Sequence, residues 1–401
     1  MSNHKDTRTG LVVIETHPIQ YHAPVYRHIA QKLGIPVTVV YGSDFSISGY
    51  RDIEFGSDFA WDTDLLSGYK AVFLSRSSEG GAQNAQEVKT RGLHAVLERL
   101  KPDAILCVGY SPTFHWKAFR IARRTGKPIL FRGETTDHAR RRSQLKEFAR
   151  DFALRRLYQQ CSAIMFVGAL SKEHFRRLGV NDETLFFSPY CVDGTSFQFD
   201  ELARTRLRES TRSELGVDPD ETVIAFSGKL SPRKAPDQLL RAVRELGRDS
   251  RKQCVVLFIG DGQLRHGLEE LAHVQPPVRI KQVGFQNQSN LSRFYHASDL
   301  LALPSLELET WGLVVNEALL HGVPVVVSDA VGCGPDLVIP GRTGEIFRAG
   351  SIPDFAAALF RSLTLAGSPA IRRQCRAVVH SYSVERAALG IAVAYERVTQ
   401  N

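Results

Sequence analysis

Two glutamates, Glu309 and Glu317, stand eight positions apart in the stretch PSLELETWGLVVNEALLHGVPVVVSD, around a tryptophan, a glycine and an apolar run. A pair of carboxylates can act as acid and base in glycoside hydrolysis, but that chemistry holds the two groups roughly 5 to 9.5 Å apart. The spacing from Trp311 to His321, stopped by Gly322 with Pro324 beyond, predicts a helix, and eight helical residues rise roughly 12 Å. The interval suits two grips on one elongated ligand better than a hydrolytic pair. The start of such a helix offers unpaired amides and partial positive charge, so the main chain of Trp311, Gly312, Leu313 and Val314 is suited to a phosphate. Gly312 lets a ligand approach the backbone. A helix with one capping and one solvated glutamate is the plainer alternative.

Two further segments supply matching charge. SGKLSPRKAPDQLLRAV carries Lys229, Arg233 and Lys234 just after Gly228, and ammonium groups there would neutralise a diphosphate as point charges. FIGDGQLRHGLEEL sets Gly260, Asp261 and Gly262 between a strand-like run and a helix-like one, a turn that can cradle phosphate. Either segment alone reads as an ordinary surface loop. The ordered series of all three carries the argument.

The elements that must position these residues are short apolar runs alternating with amphipathic stretches. In the first half they are 11–14, 37–41, 71–74, 104–108, 129–131, 163–167 and 185–187; in the second, 222–226, 255–260, 278–283, 300–303 and 324–329. Runs that are apolar throughout fit strands covered on both faces by helices. The pattern predicts an α/β protein with two Rossmann-like, doubly wound domains facing across a cleft at the carboxyl ends of their strands. The expected boundaries are 1–192, a linker at 193–220 where apolar periodicity fades, a second domain at 221–378, and 379–401 as an amphipathic helix that packs back across the domains.

Composition agrees with a folded chain and narrows its class. The 401 residues are 43% hydrophobic and 23% charged, enough for two cores. A surplus of 51 Lys and Arg over 43 Asp and Glu suits anionic lipid, nucleic acid or a phosphorylated substrate alike. No nucleic-acid-reading module is recognisable, so nucleic acid is not an expected partner. The six cysteines lie far apart without a CxxC pair, which predicts reduced thiols rather than a zinc knuckle or disulfide framework. The polar start MSNHKDTRTG and the lack of an apolar run near ~18 residues predict a cytoplasmic protein that meets a membrane, if at all, from the water side.

Taken in order, the motifs of the second half resemble the donor-binding domain of the retaining GT-B glycosyltransferases, glycosyltransferase family 4. The matching pieces are Gly228, Lys229 and Lys234; Gly260, Asp261 and Gly262; VGF at Val283–Phe285; YHASD ending at Asp299; the pair Glu309 and Glu317; then HGVPVVVSD and GRTGEIF. The resemblance covers about 222–347 and implies a GT-B fold with an acceptor-binding first domain. It implies transfer of a sugar, with retention, from a nucleotide diphosphate (UDP or GDP) to a hydroxyl of a carbohydrate, lipid-linked glycan or secondary metabolite. No cofactor or metal is implied.

The same resemblance assigns roles. Glu317 should hold the ribose hydroxyls and Glu309 the donor sugar. Lys229 and Lys234 should bind the diphosphate with the amides of Gly312 to Val314, and the base should lie near Val283 and Phe285. The family usually has arginine at Lys229, so a forked grip is lost there while the charge remains. The first domain departs further. ETHPIQYHAPVYR replaces the usual glycine pair with His17, Gln20, Tyr21 and His22, expected at the acceptor or donor phosphate. After the run 129–131, Arg132, Glu134 and His138 stand near the family's sugar-contacting histidine, with Glu134 aligned to it. Alternatives of other kinds are a nucleotide-sugar epimerase and a non-catalytic nucleotide-sugar binder.

Two regions of the first half are candidates for choosing the acceptor. Residues 44–66 combine Phe45, Tyr50, Phe55, Phe59 and Trp61 with carboxylates, suiting sugar faces and hydroxyls or an ordinary irregular loop. Between Arg140 and Arg156, basic residues outnumber acidic ones while Leu145, Phe148, Phe152 and Leu157 recur near helical spacing. That segment fits either a basic amphipathic helix beside anionic lipid or a helix covering the sheet.

Overall fold

The computed structural model describes residues 9–48, 50–52, 57–59, 63–137, 143–249 and 253–400, without the side chains of 50–52, 57–59 and 248–249. His138, Phe55 and Trp61 lie outside the described residues.

The first half contains strands β1 (Leu11–Glu15), β2 (Val37–Tyr41), β3 (Tyr50–Asp52), β4 (Ser57–Phe59), β5 (Lys70–Phe73), β6 (Ala104–Val108), β7 (Ile129–Gly133), β8 (Ala163–Phe166) and β9 (Leu185–Phe187). Seven of them form one parallel sheet in the order β5-β2-β1-β6-β7-β8-β9, while β3 and β4 pair antiparallel by themselves. The second half contributes β10 (Thr222–Ser227), β11 (Cys254–Ile259), β12 (Arg279–Gln282), β13 (Leu300–Leu303), β14 (Val325–Ser328) and β15 (Gly344–Phe347). They form a parallel sheet in the order β12-β11-β10-β13-β14-β15.

The central strands show why their sequences are apolar without alternation. Val223 and Ala225 of β10 point into one buried cluster, Ile224 and Phe226 into the cluster on the other face. Leu11 and Val13 of β1 are likewise separated from Val12 and Ile14. Both faces are covered by helices, and each large apolar side chain fully buried there contributes about 1.5 to 3 kcal/mol relative to exposure. A charge placed at Ile224 would break the second core. In each sheet the strand order reverses, at β1/β6 and at β10/β13, and crevices open beyond the strand ends at such points.

Two segments link the halves. Residues 193–220, expected as a linker, hold the helix Glu201–Leu215, packed along Gln288–Ala297 of the second domain. Arg208 and Arg212, one turn apart on it, both reach Asp299. Dense charge that reads as solvated linker in the sequence is here one helix face buried against a carboxylate. The final helix, Val384–Thr399, crosses back to the first domain, where Ala387, Ile391 and Tyr395 join the core beneath β1. Gly390 permits that contact, since a Cβ there would lie 1.9 Å from the Phe187 carbonyl oxygen.

Candidate active site

On the second domain the site begins where β10 and β13 end. The loop after β10 and the loop after β13 are stitched together: the Leu306 amide donates to the Arg233 carbonyl at 2.9 Å, and Arg233 Nη1 donates to the Leu308 carbonyl at 3.1 Å. Beside this seam Lys234 Nζ forms an ion pair with Glu309 Oε2, and Ser305 Oγ donates to the same oxygen at 2.8 Å. The neighbours of the pair, Ala235 at φ 49° and Leu308 at φ 56°, both hold left-handed backbone. Such conformations are costly for side-chain-bearing residues and concentrate at functional sites.

Glu309 does not sit at the mouth of a helix running from Trp311. The helix is Leu313–Leu320, and Gly312 at φ 99° interrupts any earlier start. Glu309 instead lies on an extended stretch bridged to Val331, and a Cβ on the facing Gly332 would fall 2.0 Å from the Thr310 carbonyl oxygen. The first helical amides, Leu313 and Val314, precede any intrahelical acceptor and follow Glu309 by four and five residues.

Glu317 lies one turn into that helix and is buried. Tyr295 Oη donates to one carboxylate oxygen at 2.6 Å and Tyr21 Oη, from the first domain, to the other at 3.3 Å. Burial pushes its carboxyl up to about 7, against the pull of the two tyrosines. His321 lies beneath, stacked on Tyr295 and donating from Nδ1 to the Glu317 carbonyl at 2.7 Å; burial lowers its imidazole to about 3.

The glycines of the GDG turn serve the protein before any ligand. A Cβ on Gly260 would lie 2.0 Å from the Gly228 carbonyl oxygen, and one on Gly262 2.6 Å from that of Leu230. The amides of Gly228 and Leu230 already donate to the Ile259 and Asp261 carbonyls, and the Gly262 amide to Asp261 Oδ1. Lys229, half-buried, stands on the same loop. At Val283 the amide donates to the Phe258 carbonyl and the carbonyl accepts from Gln286 Nε2. Beside it Gly284 is bridged to Gly260, and Phe285 is half-buried.

On the first domain a cavity of about 240 Å³ opens beyond β1 and β6, lined by Glu15, His17, His22, His115, Arg132 and Glu134 among others. Glu15, the last residue of β1, is buried and accepts from Tyr26 Oη at 2.5 Å, with His22 Nδ1 at 2.8 Å. Burial favours its neutral form, yet His22 and Tyr26 hold its carboxyl below the ordinary value. Burial lowers His17 to about 4 and also lowers His115, so both are neutral near pH 7. Arg132 lines the cavity but is committed elsewhere: Nε donates to Ser188 Oγ at 3.1 Å, Nη2 to the Pro189 carbonyl at 2.8 Å, and the guanidinium covers Tyr190. Gln20 is buried with its side-chain oxygen unpaired among the described residues.

Between the domains Trp311 is a wedge. Its ring fills the space against Gly168, where a Cβ would lie 2.3 Å away, and touches Tyr190 and Tyr382. Asp336 accepts the Ala169 amide at 3.0 Å, receiving the start of the first-domain helix Ala169–Arg177. Together with Tyr21 to Glu317, these contacts bring the predicted second-domain residues and the ETHPIQYH loop to one cleft. Ser305, Tyr295, Glu15, His115, Tyr190 and Asp336 were not assigned from sequence; a carboxylate ending an apolar strand was the available signal for Glu15. A larger cavity, about 760 Å³, lies behind the sheet between Glu201–Leu215 and Gln288–Ala297, and its Arg208 and Arg212 are engaged by Asp299.

Two facing, doubly wound domains with a returning carboxyl-terminal helix define the GT-B fold. A glycosyltransferase from Rickettsia africae aligns with a TM-score of 0.72 at 13% identity, covering 98% of this chain and 100% of the other. The Anabaena protein HepE in complex with UDP aligns at 0.69 and 17% identity, covering 97% and 100%. Likeness at this identity speaks to the fold. Residues 208–377 match the family model Glycosyl transferases group 1. A D-inositol 3-phosphate glycosyltransferase of Rhodococcus opacus is 36% identical over 205 residues, 48% of this chain and 45% of that protein. The chain thus spans about half the length of the curated relatives it matches.

Proposed function

We propose that the protein is a glycosyltransferase that takes a nucleotide-diphosphate sugar into the cleft and passes the sugar, with retention, to an acceptor hydroxyl. The observation that carries this reading is the Lys234–Glu309–Ser305 cluster, set between strained backbone and the first amides of Leu313–Leu320. Charge grows on the diphosphate as the glycosidic bond breaks. A preorganised ammonium and helix amides stabilise it without reorganising at that moment. Lys229 adds a second ammonium from the same loop. Glu309, positioned by Ser305 and Lys234, turns its remaining lone pairs to donor-sugar hydroxyls. Glu317, at the other end of the donor, accepts from the ribose. The acceptor enters from the first domain and attacks from the face the diphosphate vacates.

A UDP-linked sugar is the first donor to test, since solved neighbours carry UDP and UDP-glucose and the relatives' names describe glycosyl transfer. The acceptor is a hydroxyl compound, taken up by the cavity of Glu15, His22 and His115. The test is thermal stabilisation by UDP, GDP, ADP and dTDP, followed by incubation of the stabilising donor with and without candidate acceptors. Stabilisation by a nucleotide diphosphate and acceptor-dependent product are expected; conversion of the donor to its epimer without acceptor would replace this reading.

A further inference from the structure

The helix Gln144–Tyr158 is divided along its length. Its second half buries Leu154, Leu157 and Tyr158 against the sheet. Ahead of these it leaves Leu145 84%, Phe148 74% and Phe152 56% exposed. Positions 145, 148 and 152 share one helical face, so these side chains form a continuous apolar stripe rather than scattered surface residues. The fully exposed charges of the helix have one sign. Lys146, Arg155 and Arg156 are exposed, and Arg156 lies over the Phe152 ring at 5.1 Å. The two acids of the helix are less open, and Asp151 is taken up by Arg150 and Arg177.

Position in the fold adds direction. The helix follows β7 and precedes β8, so in a parallel sheet it runs from the cleft edge back to the opposite edge. The apolar half is the one nearer the cleft. Arg150, at the helix centre, reaches Asp137, three residues beyond the cavity-lining Glu134.

We propose that this stripe docks on an anionic lipid bilayer, with Leu145, Phe148 and Phe152 entering the headgroup–acyl boundary and Lys146, Arg155 and Arg156 meeting lipid phosphates. Apolar side chains rimmed by cations match such a surface in both hydrophobicity and charge. No described helix is long and apolar enough to cross a membrane, so the contact is a reversible one from the side. Docking would set the cleft mouth beside the bilayer, within reach of a lipid-borne hydroxyl. The inference does not rest on the enzymatic reading, and its test needs no turnover.

The experiment is co-sedimentation of the full chain with vesicles of phosphatidylglycerol in phosphatidylcholine and of phosphatidylcholine alone. Binding to the anionic vesicles, weakened by salt, is expected, with little binding to the neutral ones. Leu145→Ser/Phe148→Ser/Phe152→Ser should reduce partitioning on the order of a hundredfold at an unchanged unfolding temperature. Lys146→Glu and Arg155→Glu should each reduce it about fivefold or more. A single Phe148→Trp variant should shift its added emission to the blue on anionic vesicles, which checks insertion even if the triple variant folds poorly. Wild-type protein remaining in the supernatant, or an unshifted emission from the Phe148→Trp variant, overturns the proposal. So does a wild-type dimer in sedimentation velocity that the triple variant converts to monomer, because a second copy then covers the stripe.

Discussion

The two domains carry the same topology to opposite chemical ends. Beyond β10 and β13, the second domain gathers ammonium, helix amides and two carboxylates set apart along the cleft. Beyond β1 and β6, the first gathers Glu15 and three histidines, two of them kept neutral near pH 7 by burial, while its lining arginine is held by Ser188 and the main chain of 188–189. On the proposed reading, one mouth receives concentrated negative charge and the other an uncharged, hydroxyl-rich guest. A shared scaffold does not settle what a crevice binds; the residues at the strand ends do.

Four substitutions sharpen or break that contrast. The largest effect is expected where the domains meet. Trp311→Ala empties the space between Gly168, Tyr190 and Tyr382 and should cost about 3 to 5 kcal/mol in chemical denaturation. A loss below about 1 kcal/mol would mean the wedge is not needed. Lys234→Ala should lower kcat about 100- to 1000-fold at saturating donor, with a native circular dichroism spectrum. Near-normal turnover would remove charge stabilisation from the second domain's mouth and with it half the comparison.

Glu317→Gln tests the buried carboxylate. With its carboxyl raised to about 7 in the folded protein and an ordinary value of 4.5 in the unfolded chain, the folded state holds the extra proton between those values. Stability from this group is therefore lost as pH rises from about 4.5 to about 7, and the glutamine variant should flatten that slope in unfolding measured across pH. Nucleotide affinity should follow the opposite sense, strengthening as Glu317 ionises, and calorimetry of the variant should lose that dependence. Tyr21→Phe gives the smallest change: one cross-domain hydrogen bond, worth about 1 kcal/mol, read as a modest shift in nucleotide affinity. No shift at all would confine Tyr21 to packing.

Much of the second domain was legible because its loops are constrained by backbone contact. Gly260, Gly262 and Gly332 stand where any Cβ would strike a neighbouring carbonyl, and Lys234 and Glu309 sit within the stitched loops those glycines permit. Such local demands leave a spaced signature. The strands were legible for the same kind of reason, since burial on both faces removes alternation. The first domain's site is assembled from distant pieces, Glu15 with His115 and Glu134 with Tyr190, and nothing local ties them. The strand β15 went unread because it is four residues long with a charged one inside, and Asp336 because its partner, the Ala169 amide, lies in the other domain. The helix start was misjudged by two residues, as the left-handed Gly312 cannot be seen in apolar spacing.

The returning helix sets an order of events during synthesis. Ala387, Ile391 and Tyr395 complete the core under β1, so a nascent chain cannot finish its first domain until the helix Val384–Thr399, on the far side of the second domain in sequence, has been made. Strict domain-after-domain folding from the ribosome does not complete that core, and damage to the helix Val384–Thr399 should be felt at the amino-terminal sheet.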